Sequence, residues 1–271
     1  MRELNGAELA GFIKERQLKQ VRNLRQEHRV VPRLLIVQSK SDNPVIDTYV
    51  RMKQRYADDV LIEVELVKLD ETAMPAKIAA ANIDSNVHGI IVQLPLKNDS
   101  QIDEILNSIS SNKDVDGLGD DAEFPSATAE AIDWLLNGYN IDLSNKKIAL
   151  LGRGRLVGAP LEALWRSAGH EVVVFDVDSG DVRESLRASD VIVTATGVPG
   201  RLTSDDVASG AVVVDAGVAS EKGVIVGDAA DDLRARHDIS ITPIRGGVGP
   251  LTIAVLFDHV IQAALKAAGK L

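Results

Sequence analysis

The sequence predicts an α/β protein with two domains, and three observations support this fold class. Apolar residues at helical spacing alternate with short apolar runs between residues 5 and 94, as expected for helices and parallel strands. A glycine turn connects two further apolar runs between residues 146 and 178. A polar, acidic stretch rich in turn residues, 111–126, separates these two parts and is typical of a domain junction.

In the N-terminal part, each predicted helix is followed by a predicted strand. The first helix carries apolar residues at helical spacing, namely Leu9, Phe12, Ile13, Leu18, Val21 and Leu24. We expect helices over 5–28, 45–58 and 75–82, and strands over 33–38, 62–69 and 89–94. Repeated alternation of this kind favours a parallel sheet.

The C-terminal part continues the alternation. We expect a helix over 128–137, strands over 146–151, 170–176, 190–196, 211–217 and 239–244, and a last helix from Gly249-Pro250 to residue 268. The later strands end in loops with glycine or proline. Loops at the carboxyl ends of strands are where open sheets of this kind bind ligands.

Composition and charge exclude several classes of protein. With 271 residues, of which 45% are hydrophobic, the chain can bury a substantial core. A net charge of −10 disfavours nucleic acids and anionic membrane surfaces as partners. The absence of cysteine excludes disulfides and thiolate nucleophiles, and the five histidines are too scattered to indicate a metal site. The first residues are too polar for a secretory signal, and no apolar run approaches the length of a bilayer span, so we expect a cytoplasmic protein.

The glycine turn at residues 152–158, GRGRLVG, lies between a predicted strand and a predicted helix. Glycine at 152 and 154 lets the backbone approach a pyrophosphate, and Gly158 allows close packing of a helix whose free N–H groups stabilise negative charge. The spacing GxGxxxG alone also occurs in ordinary turns, but here Asp176 ends the next strand 24 residues after Gly152, as in dinucleotide-binding units. The sequence therefore predicts a nucleotide cofactor. The predicted cofactor-binding residues are Gly152, Arg153, Gly154, Val157, Gly158, Asp176, Thr196, Gly197 and Gly217.

Three groups of polar residues lie outside this nucleotide unit. Tyr49 and Lys53 share one face of a predicted helix, although a surface helix with a solvated lysine would have the same spacing. Gln93 ends an apolar strand before a proline, where a buried amide pairs with an amine or caps local backbone. The carboxylates of Asp114 and Asp116 could accept paired N–H donors from a heterocycle, or merely form a turn.

A second glycine-rich loop, RGGVGPLT at 245–252, joins the last predicted strand to the last helix. Three glycines allow the backbone to lie against a flat ligand, and a tight structural turn would not need so many. We predict that Gly246, Gly247 and Pro250 bind substrate.

Five motifs, in their order and spacing, resemble those of the bifunctional methylenetetrahydrofolate dehydrogenase/cyclohydrolase family. They are YVRMK at 49–53, GIIVQLPL at 89–96, KDVDG at 113–117, GRGRLVGAP at 152–160 and GGVGPLTIAVL at 246–256. The resemblance extends over nearly the whole chain. It implies a folate-binding catalytic α/β domain of residues 1–122 and 250–271, to which the C-terminal helix returns, and a Rossmann-like NAD(P)-binding domain of residues 123–249.

The resemblance also implies a function. Such an enzyme oxidises 5,10-methylenetetrahydrofolate by hydride transfer to NAD or NADP and hydrolyses the methenyl product to 10-formyltetrahydrofolate, in one-carbon metabolism and purine biosynthesis. By match to the motifs, Lys53 is the catalytic amine, Tyr49 stacks along the folate, Gln93 orients Lys53 and Asp116 holds the pterin. The methenyl cation needs no metal for attack by water, only a group that moves protons. The resemblance further suggests a homodimer.

Several positions depart from the family pattern. Ile46 stands where a serine usually precedes the tyrosine by three residues, SATA at 126–129 replaces a PCTP motif after a shortened loop, and Arg245 replaces a proline. A modified folate, a dehydrogenase-only relative and a non-catalytic folate- or nucleotide-binding protein therefore stay open as alternatives. A short-chain dehydrogenase also uses a Tyr-x-x-x-Lys pair, but there the pair follows the glycine turn, whereas Tyr49 and Lys53 precede it.

The choice of cofactor depends on the residues after the second strand of the nucleotide unit. The chain has Asp176-Val177-Asp178 there, where many relatives carry a His-Ser-Arg/Lys run that helps to bind the 2′-phosphate of NADP. A carboxylate accepts a hydrogen bond from a ribose 2′-hydroxyl and repels a phosphate, whereas Arg153 and Arg155 would attract one. The expected cofactor is NAD or NADP, with NAD favoured by Asp176.

Overall fold

The computed structural model describes residues 2–40, 43–221 and 224–270. The chain divides into two compact units, each with its own parallel sheet. The six-stranded unit comprises Met1–Ala10 and Thr128–Thr252, and the three-stranded unit comprises Gly11–Ala127 and Ile253–Leu271. The two-domain α/β fold class predicted from the sequence is confirmed.

The helices and strands of the described residues have the following bounds. The helices are α1 (Gly6–Glu27), α2 (Pro44–Val60), α3 (Met74–Ile83), α4 (Ile102–Asn107), α5 (Ala127–Gly138), α6 (Gly158–Ser167), α7 (Arg183–Arg187), α8 (Asp231–Arg234) and α9 (Val248–Ala267). The strands are β1 (Arg2–Glu3), β2 (Arg33–Ser39), β3 (Glu63–Leu69), β4 (Gly89–Gln93), β5 (Ile148–Leu151), β6 (Val172–Phe175), β7 (Val191–Thr194), β8 (Val212–Asp215), β9 (Ala219–Glu221), β10 (Val224–Val226) and β11 (Ser240–Ile241). Short 3₁₀ helices lie at Glu71–Ala73, Asp99–Gln101 and Ser204–Asp206.

In the three-stranded unit, β2 lies between β3 and β4, and both pairings are parallel. The apolar run of β2, residues 34–37, is fully buried, as expected for a central parallel strand covered on both faces. Alternate residues of β2 and β4 pack against apolar residues of α3 and α4. The register pairs Gln38 with Gln93, so polar side chains collect at the carboxyl end of this sheet.

Helix α2 follows β2 and begins at a capped end. The Asn43 side chain accepts hydrogen bonds from two backbone N–H groups of the first turn, at 3.1 and 3.4 Å, and Pro44 starts the helix. The buried residues of α2 are Ile46, Val50, Ala57 and Val60. This apolar face anchors the helix, and Tyr49 and Lys53 beside it are only partly exposed.

In the six-stranded unit, the described strands follow the order β1-β11-β8-β7-β5-β6, and every neighbouring pair is parallel. Strands β5 and β7 are buried along their whole length, as expected for internal strands of a parallel sheet. The loops after β8, β7, β5 and β6 leave neighbouring strands at the carboxyl edge of the sheet, which is where such sheets bind ligands. The antiparallel pair of β9 and β10 lies outside this sheet.

The N-terminal residues differ from the predicted domain boundaries, which placed residues 1–122 in one domain. Strand β1 pairs with β11, and the backbone N–H of Leu4 donates to the carbonyl of Ile241 at 2.9 Å. The side chain of Leu4 is fully buried. Met1–Ala10 therefore belongs to the six-stranded unit. A strand of two residues has no periodicity that could reveal it in the sequence.

Helix α9 is more continuously apolar than the sequence analysis assumed. Among the described helices, it is long and apolar enough to cross a membrane, with a mean hydropathy of 1.6, although we expected no such run. Most of this stretch, 72%, is buried inside the protein. A helix that is apolar on nearly all sides is expected where protein surrounds it.

Candidate active site

A lysine, a glutamine and a carboxylate come together in the three-stranded unit. The Nζ of Lys53, on α2, donates a hydrogen bond to Oε1 of Gln93, at the end of β4, over 2.8 Å. The Nε2 of Gln93 donates to the backbone carbonyl of Leu94 at 3.1 Å, which turns the amide oxygen towards the amine. Asp116 lies close enough for its charge to act on Lys53. Three of the predicted site residues are therefore neighbours.

The two carboxylates of the KDVDG motif differ in their surroundings: Asp114 stabilises a turn, and Asp116 lies near Lys53. Asp114 is buried, and its oxygens accept hydrogen bonds from the backbone N–H groups of Gly117, Leu118 and Gly119 at 3.0, 3.1 and 2.7 Å. Gly117 has a φ of +67°, and a Cβ there would lie 2.3 Å from a backbone oxygen of Pro125, so this turn requires glycine. Asp114 thus builds the turn that carries Asp116.

Burial and neighbouring charges have opposite effects on the pKa values of Lys53 and Asp116. Burial lowers the pKa of the Lys53 amine, and the charge of Asp116 partly offsets this. Burial raises the pKa of the Asp116 carboxyl, and the charges of Lys53 and His259 oppose that change. An amine whose pKa is lowered towards neutrality is the kind of group that can both accept and donate a proton.

His259, on α9, is a neighbour of Asp116 that the sequence analysis did not find. Its ring is almost fully buried, its Nδ1 lies 2.8 Å from the carbonyl oxygen of Val115, and it stacks on Phe124 at a centroid distance of 4.8 Å. The available signal was its spacing, since His259 follows the buried Val255 by four residues on the apolar face of the helix.

Tyr49 and the departures from the family pattern lie on or near the same unit. Tyr49 is half-buried, one turn before Lys53 on α2, and burial raises the pKa of its phenol. Ile46 is a buried residue of α2. The backbone N–H of Ala127, after the shortened loop, donates to the carbonyl of Asp116 at 3.0 Å. The altered loop is therefore joined directly to the Asp116 turn.

The glycine turn of the six-stranded unit has two tightly packed glycines and one open glycine. Gly152 has a φ of +98°, and a Cβ on Gly158 would lie 2.0 Å from the carbonyl oxygen of Gly152. A Cβ on Gly154 would meet nothing within 4 Å. The turn therefore closes tightly on the start of α6 and leaves bare backbone at Gly154. This cradle fits the pyrophosphate of a dinucleotide.

Three further predicted cofactor residues are Arg153 and Val157, within this turn, and Asp176, after β6. Arg153 donates from Nε to Oε2 of Glu162 at 2.7 Å. Asp176 is exposed directly after β6, and its Oδ1 accepts hydrogen bonds from Asp178 N–H and Ser179 Oγ, both at 3.0 Å. Val157 precedes α6 as its N-terminal flanking residue. All of these lie at the carboxyl edge of the sheet.

The loops after β7 and β8 are held by buried carboxylates that the sequence analysis missed. Asp228 is fully buried, and one of its oxygens accepts hydrogen bonds from Thr194 Oγ1 and from Thr196 N and Oγ1 at 2.7 to 2.9 Å. A Cβ on Gly217 would lie 2.0 Å from the other oxygen of Asp228. Gly197 has a φ of +68°. Asp228 therefore sets the conformation of the predicted cofactor residues in both loops.

The predicted substrate-binding residues of the GGVGP motif lie in the six-stranded unit. Gly246 has a φ of +84°, and its carbonyl accepts a hydrogen bond from Ala7 N–H at 2.9 Å. A Cβ on Gly247 would lie 3.2 Å from the carbonyl oxygen of Pro243. Pro250 stands in the first turn of α9. These residues thus belong to a different unit from Lys53, Gln93 and Asp116.

The two units together define a two-domain α/β enzyme with a dinucleotide-binding turn and a separate lysine-centred cluster. The chain belongs to the tetrahydrofolate dehydrogenase/cyclohydrolase family: residues 4–116 match the model of its catalytic domain, and residues 126–268 match the model of its NAD(P)-binding domain. The family resemblance drawn from the sequence is confirmed. The protein is an NAD(P)-dependent methylenetetrahydrofolate dehydrogenase/cyclohydrolase of one-carbon metabolism.

Individual relatives agree with this assignment. The bifunctional protein FolD of Streptococcus pyogenes is 33% identical over 98% of this chain and 99% of the relative. The crystal structure of the bifunctional enzyme FolD from Campylobacter jejuni has 33% identity and a TM-score of 0.92, covering 98% of this chain and 99% of that one. The Trypanosoma brucei enzyme, crystallised with NADP and an inhibitor, has 27% identity and a TM-score of 0.90, covering 97% and 96%.

Proposed function

We propose that Lys53 moves the protons in the hydrolysis of the methenyl group, that Gln93 orients it and that Asp116 holds the pterin. The observation that carries this proposal is the hydrogen bond of 2.8 Å from Lys53 Nζ to Gln93 Oε1, beside the partly buried Asp116. Tyr49, one helical turn away, supplies an aromatic face for the folate.

The proposed proton transfers follow from the charges of these groups. The neutral Lys53 amine accepts a proton from the water that attacks the methenyl carbon, and the resulting ammonium gives it to the ring nitrogen as the carbon–nitrogen bond breaks. The remaining hydroxyl proton is released to solvent as the formyl C=O bond forms. The Oε1 of Gln93 can only accept hydrogen bonds, so Lys53 must direct one N–H towards it. This contact fixes the orientation of the amine during both transfers. The carboxylate of Asp116 can accept two N–H donors from the pterin edge.

For the oxidation step, we propose that the open backbone at Gly154 and the N–H groups at the start of α6 bind the pyrophosphate. The bound nicotinamide supplies the acceptor for the hydride. Thr196, Gly197 and Gly217, in the loops held by Asp228, line the same carboxyl edge of the sheet. Gly246, Gly247 and Pro250 stay predicted substrate-binding residues.

Replacing Lys53 with methionine tests the assignment of the proton-transfer group. Because general acid–base groups contribute about 10²- to 10⁴-fold, Lys53→Met should lower methenyl hydrolysis by at least about 100-fold. Nucleotide affinity, measured by calorimetry, should stay within twofold of the parent value, since Lys53 lies in the three-stranded unit. Lys19→Met, at an exposed position of α1, is the matched control. Undiminished hydrolysis in Lys53→Met would refute the role of Lys53.

The same assays separate the alternatives that the altered loops leave open. Reduction of the nicotinamide without methenyl hydrolysis would identify a dehydrogenase-only enzyme. Folate and nucleotide binding without either reaction would identify a binding protein. The intact Lys53–Gln93 pair supports the bifunctional enzyme.

We propose NAD as the preferred cofactor, because Asp176 stands where the ribose 2′-position of the adenosine is expected, directly after β6. Its carboxylate is oriented by Asp178 and Ser179, and a second negative charge there would be repelled. Comparing kcat/KM for NAD and NADP at equal concentrations tests this. A strong preference for NADP, the ligand in the Trypanosoma brucei crystal, would contradict it.

We also propose that the protein acts as a cytoplasmic homodimer and that its 10-formyl product feeds purine biosynthesis. Among the described strands, β6 ends the six-stranded sheet, so its outer backbone edge can meet a second copy, and its Val173 side chain is 56% exposed on the face of the sheet. Light scattering after size-exclusion chromatography measures the oligomeric state. A monomer at micromolar concentration would contradict the proposal.

A further inference from the structure

Glu162 holds two arginines at the cofactor edge of the six-stranded unit. Its Oε2 accepts a hydrogen bond from Arg153 Nε at 2.7 Å, and its Oε1 lies 3.0 Å from Arg166 Nε, one turn further along α6. The side chain of Glu162 is only 13% exposed, whereas those of the two arginines are 59% and 56% exposed. Arg166 also donates to the carbonyl of Val172 at the start of β6, at 3.0 Å. Glu162 is thus a fixed carboxylate.

The arginine that Glu162 holds lies in the glycine turn, near the residue expected to meet the ribose. Asp176 is close enough for its charge to act on the guanidinium of Arg153. Two cations and two anions therefore form one group, and their formal charges cancel. They are Arg153, Arg166, Glu162 and Asp176. A 2′-phosphate, with a charge of about −1.5 to −2, needs unpaired guanidinium donors to offset its desolvation.

We infer that Glu162 is a specificity-determining residue, which keeps Arg153 in an ion pair and so makes the site a poor acceptor of a 2′-phosphate. The inference rests on the proposed use of NAD. Glu162 contacts the arginine rather than the position of the ribose, so it acts on cofactor choice through Arg153.

The test compares the binding of two adenosine ligands that differ by the phosphate in question. The affinities of AMP and adenosine 2′,5′-bisphosphate are measured by calorimetry for the unchanged protein and for Glu162→Gln. Because release of Arg153 adds a charge-assisted contact, Glu162→Gln should bind the bisphosphate about tenfold more tightly. Its affinity for AMP should change by less than twofold. The NADP-to-NAD ratio of kcat/KM should rise in parallel.

Matched variants distinguish this role from a general effect of charge or folding. Glu171→Gln removes the same charge at the exposed amino end of β6 and should give no gain. In the double variant Glu162→Gln/Arg153→Gln, the gain should disappear, because Arg153 carries it. Where Glu162→Gln lowers the unfolding temperature too far for binding measurements, Glu162→Met, of similar length, should give the same gain.

An unchanged ratio of the two affinities in a folded Glu162 variant would overturn the inference, as would a gain that survives in the double variant. The proposed use of NAD fails separately, through the kinetic preference of the unchanged protein for NADP. A protein that prefers NADP and still gains bisphosphate affinity in Glu162→Gln would keep the role of Glu162 and refute the preference for NAD.

Discussion

In the proposed hydrolysis the amine of Lys53 accepts and releases a proton, and its surroundings change its pKa in two opposite directions. Burial favours the neutral amine, while Asp116 favours the ammonium. The net pKa is below the ordinary value of lysine. The neutral, basic form therefore exists at a lower pH than it would on an exposed lysine, which suits a group that accepts a proton from water.

The pH profile of hydrolysis tests this balance. Activity should rise with pH through the pKa of Lys53, because only the neutral amine accepts the proton. In Asp116→Asn, loss of the negative charge removes the effect that raises the pKa of Lys53. The rising limb of kcat against pH should therefore move to lower pH. Asp121→Asn removes the same charge at an exposed position and should leave the limb in place. A shift to higher pH in Asp116→Asn would contradict the assignment.

At this scale, the sequence indicated which residue types matter but not which contacts they form. Residue spacing did not distinguish Asp114 from Asp116, and the family motif alone indicated Asp116. In the structure, three backbone N–H groups donate to Asp114 and identify it as the turn-forming carboxylate. His259 and Glu162 were missed because each acts through a neighbour brought close by folding. Each shows only a helical spacing, His259 to Val255 and Glu162 to Arg166, which does not by itself indicate a role.

Helices and strands with a clear apolar periodicity were predicted well, whereas helices of four to six residues were not predicted. The structure has α2 at Pro44–Val60, against the predicted 45–58. Helices α4, α7 and α8 have four to six residues, which is too short for a helical pattern to repeat. Strand β6 is shorter than predicted, because the residues at its ends leave the ladder.

The side chain of Asn43 caps α2, the helix that carries Lys53. Removing the acceptor in Asn43→Ala leaves two N–H groups without their partner and should lower the free energy of unfolding by about 1 kcal/mol. Asn43→Asp keeps an acceptor at the same place and should be nearly neutral. Denaturant unfolding measures both variants. Equal loss of stability in the two variants would show that the cap is not the cause.

Two glycines of the glycine turn are predicted to serve different purposes: Gly158 allows close packing, and Gly154 leaves the backbone open for a ligand. Gly158→Ala places a methyl group 2.0 Å from the carbonyl oxygen of Gly152, which the backbone cannot absorb without moving. We expect it to destabilise the protein by about 1–3 kcal/mol, the range for overpacking. Gly154→Ala meets nothing within 4 Å and should keep the unfolding temperature while weakening NAD binding, since the methyl group covers the open backbone.

Unfolding curves and calorimetry on the two glycine variants check this separation. Loss of stability in Gly154→Ala, or undiminished NAD binding by a folded Gly154→Ala, would contradict the view that Gly154 is open for a ligand.

At the scale of the molecule, the lysine cluster and the glycine turn lie on two different sheets. The apolar core of β2 and β4 with α3 and α4 supports the lysine cluster, and a separate core around β5, β7 and β8 supports the glycine turn. The sequence predicted this division from the polar stretch 111–126, and Met1–Ala10, which it assigned to the first domain, cluster with the six-stranded unit. Each site is therefore supported mainly by local packing within its own unit.

This division predicts how a nucleotide stabilises the protein. A ligand that binds only the folded state adds RT ln(1 + [L]/Kd), or about 2.7 kcal/mol at a hundredfold excess over Kd. NAD should therefore raise the unfolding temperature of the unchanged protein and of Lys53→Met by the same amount, because Lys53 and the glycine turn lie in different units. Gly154→Ala should lose most of this shift, since its binding surface is covered. Differential scanning calorimetry measures all three proteins. A smaller shift for Lys53→Met than for the unchanged protein would mean that the lysine cluster takes part in holding the nucleotide.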